Sequence, residues 1–165
     1  VAKRAHGLGL HVIATRNSRR EGPDYVEYVG LADEYRTLAA RADVVVNSTP
    51  LTPETRGMFD AQFFAAMKDG AFFINIGRGE SVVTADLTAA LQAGTIGGAG
   101  LDVTDPEPLP PGHPLWSMSN VIITPHIATS SDYRSDRTFT LVAENLRRYV
   151  RGDAVLSVVD LAAGY

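Results

Sequence analysis

The feature that most narrows the folds open to this chain is a set of short, unbroken apolar runs, Val44-Val45-Val46 and Val121-Ile122-Ile123 among them, separated by stretches of helical character. A strand with one face in water alternates apolar and polar residues, and these runs do not alternate. They predict strands covered on both faces, which is the habit of a parallel sheet with helices on each side. Strands are expected over His11 to Thr15, Tyr25 to Val29, Asp43 to Asn47, Ala71 to Asn75, Gly97 to Asp102 and Asn120 to Thr124. Helices are expected over Leu31 to Arg41, over Asp60 to Lys68 with Asp60 as N-cap, and over Thr84 to Ala93 with Gly94 just past the end. A longer helix runs from about Asp132 to Val150, opened by Ser130 or Ser131 and stopped at Gly152. Val1 onward reads as a helix already under way that closes at Gly7 or Gly9, so the chain is expected to begin in mid-element. The fold class that follows is α/β, a doubly wound parallel sheet.

A length of 165 residues is that of one domain, and a hydrophobic fraction of 45% is enough for a sizeable core. A net charge of -4, with no run of like charges beyond the local Arg16, Arg19 and Arg20 cluster, argues against nucleic acid or a polybasic membrane anchor. No apolar stretch approaches the roughly 18 residues that span a bilayer. With no cysteine, disulfide and thiolate chemistry are excluded, and the composition fits a soluble protein of the reducing cytoplasm.

Three motifs can carry chemistry, each just after an expected strand. In Asn75-Ile76-Gly77-Arg78-Gly79-Glu80 the flanking glycines permit close backbone approach, and an arginine there can grip a carboxylate with two parallel hydrogen bonds. Taken alone, Arg78 also has the lesser reading of a surface arginine in a glycine turn. Leu101-Asp102-Val103 ends the next strand, and Pro106-Glu107-Pro108 pins a second acid in a rigid turn. Asp102 by itself could be a turn cap or a ligand contact. Thr124-Pro125-His126-Ile127-Ala128 places a histidine straight after the last strand, where it could exchange protons near neutral pH or be a satisfied structural residue. The loop from Thr104 to Ser119 holds five of the nine prolines and is long enough to wrap a site. No pair of histidines has metal-ligand spacing, so no metal site is expected.

The end of the first strand points to a cofactor. There Thr15 runs into Arg16-Asn17-Ser18-Arg19-Arg20. In a dinucleotide-binding sheet this position ordinarily carries an acid for the ribose hydroxyls, and a basic replacement suits a 2'-phosphate. Charge-assisted bonds from Arg16 or Arg19 would contribute roughly 1.5 to 3 kcal/mol each, enough to set cofactor preference. The competing reading is a solvated charge run without function.

Together the motifs resemble the D-isomer-specific 2-hydroxyacid dehydrogenases, the group that includes glyoxylate/hydroxypyruvate reductases. Leu51-Thr52-Pro53-Glu54-Thr55-Arg56-Gly57, Met67-Lys68-Asp69-Gly70-Ala71, Gly77-Arg78-Gly79, Leu101-Asp102-Val103, Pro106-Glu107-Pro108-Leu109 and Pro125-His126-Ile127-Ala128 occur in the family's order. The resemblance implies a Rossmann-like domain and an oxidoreductase moving hydride between NAD(P)H, with NADP preferred and NAD possible, and a small 2-oxo acid. It implies that Arg78 binds the substrate carboxylate, that His126 donates the proton and that Glu107 orients the imidazole. Cofactor contacts would come from Thr15, Arg16, Asn17, Arg19, Thr49, Pro50, Ile76, Gly77 and Asp102, with Asp102 holding the nicotinamide carboxamide.

The resemblance also implies that the family's glycine-rich turn and its preceding strand, which lies at the sheet's centre, should come before Val1. The expectation is that residues 1–129 form a truncated dinucleotide-binding domain and residues 130–165 a helix and tail returning to a substrate domain. The N-terminal portion of the same protein, or another chain, would complete the sheet, and the intact protein would be a homodimer. A reading from another class is a non-catalytic scaffold that senses a dinucleotide and recruits partners. Methyl transfer on a similar sheet would explain neither the arginine turn nor the histidine.

Overall fold

The computed structural model describes residues 1–131 and 133–161. Asp132, expected at the head of the long helix, and the last four residues of the expected tail lie outside the described residues. Six strands form: β1 Ile13–Arg16, β2 Tyr28–Leu31, β3 Val44–Asn47, β4 Phe72–Asn75, β5 Gly98–Leu101 and β6 Val121–Ile123. All their pairings are parallel. They divide into a two-stranded sheet of β1 and β2 and a four-stranded sheet in the order β3-β4-β5-β6. The helices are α1 Ala2–Gly7, α2 Tyr35–Ala39, α3 Ala61–Ala66, α4 Thr84–Ala93 and α5 Arg134–Arg151.

The period of two along each strand decides which face of the larger sheet is covered. Val45, Phe73, Ala99 and Val121 share one row of the register and pack into the core with Phe63 and Phe64 of α3 and Leu87 and Leu91 of α4. Phe73 is fully buried, with the ring of Phe64 edge-on at 5.3 Å. Burial of each such ring stabilises the fold by about 1.5 to 3 kcal/mol. On the opposite face Val44 and Phe72 share one row and Ile122 lies in the row two residues further along, and all three are exposed. The expectation of helices on both faces is therefore met on one face only by the described residues.

Local chemistry sets the element ends. Asp60 caps α3, its Oδ1 accepting from the Phe63 backbone N–H at 2.8 Å. α4 has the bounds expected from its sequence and stops at Gly94, whose φ of 70° no β-carbon would easily tolerate. α5 ends at Gly152 as expected.

Three expectations need correction. The second strand is not Tyr25 to Val29 but Tyr28–Leu31, because Pro23 opens a turn closed by the Val26 N–H on its carbonyl at 2.9 Å. The helix expected over Leu31 to Arg41 is a 3-10 turn, Ala32–Glu34, followed by the short α2. Glu34 explains the break: its carboxylate accepts from the Leu31 N–H and the Tyr28 hydroxyl, both at 2.7 Å, and holds the tight first turn. The helix expected to run to Lys68 ends at Ala66, since Met67 is already extended at ψ 158°.

Candidate active site

In a parallel sheet every strand delivers its following loop to the same rim, and here the register brings four loops side by side. Asn47, Asn75 and Leu101 lie in one row, with Ile123 beside Leu101. Thr49, Arg78, Asp102 and His126 all follow within three residues of those positions. This is the rim where open α/β sheets bind ligands.

The arginine turn is wedged between two neighbours. A β-carbon on Gly77 would come within 2.9 Å of the Thr49 carbonyl, and one on Gly79 would lie 1.9 Å from the Thr104 carbonyl. Both glycines are thus required by close approach of backbone to backbone. Between them Arg78 is exposed, and its Nη1 donates to the Gly77 carbonyl at 2.8 Å. Ile76 continues the ladder, its N–H donating to the Asn47 carbonyl at 3.0 Å.

Beyond Thr104 the loop leads to Glu107. Its Oε1 lies 2.7 Å from Nδ1 of His126, and both side chains are a little under half exposed. The loop is held at its base by the Thr84 hydroxyl, which donates to the Asp105 carbonyl at 2.6 Å. Gly79 touches the Thr104 backbone, so the arginine turn and the Glu107 loop are in contact. The structure accordingly brings together Arg78, Glu107 and His126 along one rim.

His126 has φ of 53°, a left-handed conformation unusual for a side-chain-bearing residue. Asp102 holds it there. The Asp102 carbonyl accepts from the His126 N–H at 2.9 Å. Its carboxylate accepts from the Thr124 hydroxyl at 2.6 Å and from the Ile127 and Ala128 N–H groups, each at 2.8 Å. Burial, the largest influence on this carboxyl, pushes its pKa up, but those three hydrogen bonds and the nearby His126 outweigh it, and the group sits below the ordinary aspartate value. Oδ1 takes two bonds and Oδ2 one, so Oδ2 keeps an acceptor position.

Thr15, Arg16, Asn17 and Arg19 lie apart from this rim group in the chain, at the end of β1 in the two-stranded sheet. Arg20 is neutralised by Glu34 at 2.7 Å. Arg16 bonds only the neutral Glu21 carbonyl, at 2.7 Å, and Arg19 is exposed. Among the described residues neither has a carboxylate partner, so this strand end carries uncompensated positive charge. Pro50 is exposed on the Thr49 segment, where its carbonyl accepts from the Thr55 hydroxyl at 2.7 Å.

Sequence reasoning passed over Asn47 and Ser81. With Asn75 they form a buried amide and hydroxyl cluster beneath the arginine turn. The signal was available: Asn47 and Asn75 each end an apolar run, Val44-Val45-Val46 and Phe72-Phe73-Ile74. Among the described residues no group of three or more acidic or histidine side chains could hold a metal ion. A hollow of about 540 Å³ lies between α5 and the returning tail at Leu156, and none of the candidate residues lines it.

Comparison with known proteins supplies the remaining findings. The profile of the family described as "D-isomer specific 2-hydroxyacid dehydrogenase, NAD binding domain" matches residues 1–128. An uncharacterised protein from Corynebacterium melassecola is 43% identical over 160 residues, covering 96% of this chain and 52% of that protein. The glyoxylate reductase/hydroxypyruvate reductase of Mus musculus is 47% identical over 136 residues, covering 82% of this chain and 40% of that protein. The chain thus spans about half the length, or less, of these curated relatives. An NADPH-dependent glyoxylate/hydroxypyruvate reductase from Sinorhizobium meliloti, solved with NADP and sulfate, superposes with a TM-score of 0.87 at 39% identity, covering 99% of this chain and 52% of that one. A probable 2-hydroxyacid dehydrogenase from Rhizobium etli, solved with NADP, HEPES and tartaric acid, gives the same values.

Proposed function

Because the chain belongs to the D-isomer specific 2-hydroxyacid dehydrogenases, through their NAD-binding domain, we propose that it is the cofactor half of a reductase that converts a small 2-oxo acid to a D-2-hydroxy acid. One observation carries this reading: the His126 and Glu107 pair at 2.7 Å on the rim, in a loop that packs against the arginine turn. Nδ1 of His126 faces Glu107, which leaves Nε2 as the nitrogen that can face a substrate and donate a proton to its carbonyl oxygen. Glu107 fixes the ring orientation. The Arg78 guanidinium, with its planar fork of donors, holds the substrate carboxylate and fixes which face of the 2-oxo carbon is presented.

NADPH, when bound, supplies the hydride. The residues present fit it: Arg16 and Arg19 offer unneutralised charge to a 2'-phosphate, beside Thr15 and Asn17 at the strand end. Gly77, Ile76, Thr49 and Pro50 shape the cleft wall. The free acceptor position on Asp102 Oδ2 suits a carboxamide N–H. Solved relatives that carry NADP support the preference, with NAD as the alternative cofactor.

We further propose that residues 1–129 act as the dinucleotide-binding domain and residues 130–165 lead to a substrate domain. The unpaired edges of β1 and β3 would take a strand from elsewhere in the same protein or from another chain. The exposed sheet face of Val44, Phe72 and Ile122 supports a homodimer of the intact enzyme, which light scattering would test. Work in the cytoplasm, where the reduced dinucleotide is supplied, completes the reading, and cell fractionation checks it.

The deciding experiment follows NADPH absorbance in the full-length protein with glyoxylate, hydroxypyruvate and pyruvate. Turnover of at least one is expected. His126→Gln should lower kcat by roughly 10² to 10⁴, the usual contribution of a general acid. Arg78→Ala should abolish useful turnover, and Arg16→Asp should move preference towards NADH. Near-normal turnover in His126→Gln would remove the proton donor and the mechanism with it.

A further inference from the structure

Arg78 lies in a turn made of glycines, which by themselves hold nothing in place, and its side chain bonds only its own neighbour's carbonyl. Something else must aim it. Beneath the turn lie Asn47, Asn75 and Ser81, exposed by 2%, 1% and 0%. Buried polar groups at such depth are costly unless satisfied. Here they are satisfied by one another and by the turn.

The orientation of both amides is fixed by donors that cannot reverse. The Thr49 N–H must donate, so the atom it meets at 3.0 Å is Asn47 Oδ1; the Gly77 N–H must donate, so the atom at 3.0 Å is Asn75 Oδ1. Asn47 Nδ2 then donates to Asn75 Oδ1 and to Ser81 Oγ, both at 2.8 Å. The Ser81 hydroxyl donates to the Arg78 carbonyl at 2.6 Å, and Asn75 Nδ2 donates to that same carbonyl at 3.1 Å. Every bond in the sequence has one direction. Its two ends are the Thr49 segment, which bonds Asn47 Oδ1 through both its N–H and its hydroxyl, and the Arg78 backbone.

We infer that Asn47, Asn75 and Ser81 are positioning residues that fix the Arg78 peptide, so that its guanidinium meets the substrate carboxylate in one orientation. The inference rests on the proposed role of Arg78 in holding that carboxylate. The polarity of the cluster explains why two buried strands end in asparagine where apolar residues would pack as well. It also explains why Ser81, which touches no ligand in this arrangement, is fully enclosed.

The test uses the full-length enzyme and the carboxylate probe oxamate, bound in the presence of NADPH. Ser81→Ala removes one donor to the Arg78 carbonyl and leaves Asn47 bonded to Asn75, so the fold should survive. Oxamate affinity should fall roughly tenfold, the size of one buried hydrogen bond, while NADPH affinity stays within about twofold. Ser81→Thr, which keeps the hydroxyl, should bind oxamate better than Ser81→Ala. If Ser81→Ala does not fold, Ser81→Cys, with a weak donor of similar size, takes its place and should still lower oxamate affinity relative to the wild type, by less than about tenfold. In an Arg78→Ala background the serine substitution should cost nothing further, because a residue that acts through Arg78 has nothing left to aim. Unchanged oxamate affinity in the serine variant, or a loss that persists undiminished without Arg78, would overturn the inference. Unchanged affinity in Arg78→Ala alone would instead remove the proposed role of the arginine, and this inference with it.

Discussion

At the scale of single residues, the site is fixed by close contacts that the residue types only partly announce. Gly79 is the sharpest case. A β-carbon there would overlap the Thr104 carbonyl at 1.9 Å, so Gly79→Ala must push the arginine turn away from the loop that carries Glu107. Overpacking of this kind costs about 1 to 3 kcal/mol or more, and urea unfolding should show it together with a loss of turnover. Asp102 supports a prediction with a defined pH sense. Its folded pKa lies below the ordinary value, so it contributes stability at higher pH that is lost as pH falls through the lowered folded value. Asp102→Asn should cost about 1.5 to 3 kcal/mol at neutral pH, since an amide nitrogen would face N–H donors, and the gap from the wild type should close in acid. Denaturation followed from pH 7 into the acid range would check both. The histidine, glutamate and arginine were readable from their motifs. The left-handed backbone of His126 and the grip of Asp102 on its loop were not, because they depend on two strands meeting.

At the scale of elements, capping chemistry was the most readable part of the sequence. Asp60 was expected as an N-cap and accepts the Phe63 N–H, so Asp60→Ala should destabilise by about 1 kcal/mol in a denaturant melt. That substitution also removes the partner of Arg36 at 2.8 Å, a half-exposed pair that adds little. α4 ended where Gly94 said it would, since the stop signal is local. β2 and α2 departed from expectation because distant groups decided them: the Pro23 turn displaced the strand, and Glu34, held by Tyr28, split the helix. Local propensity cannot weigh a partner six residues away.

At the scale of the whole molecule, the described residues leave two apolar surfaces open. One is the sheet face of Val44, Phe72 and Ile122; the other is the face of α5 bearing Phe139, Val142, Leu146 and Tyr149, all exposed. Surfaces of this kind attract partners or aggregate. The 165-residue chain should therefore bind a hydrophobic dye while folded, and Ile122→Lys should reduce that fluorescence while changing stability by no more than about 0.5 kcal/mol. By itself the sequence determined the strand and helix alternation, the parallel class of sheet and the residue types available at the rim, because hydrophobic period and capping are written locally. Only the tertiary structure decided that Asn47, Asn75 and Ser81 close into one directed network beneath Arg78, and which face of the sheet is covered. Those depend on register between strands far apart in the chain, and register is a property of their pairing that no single segment contains.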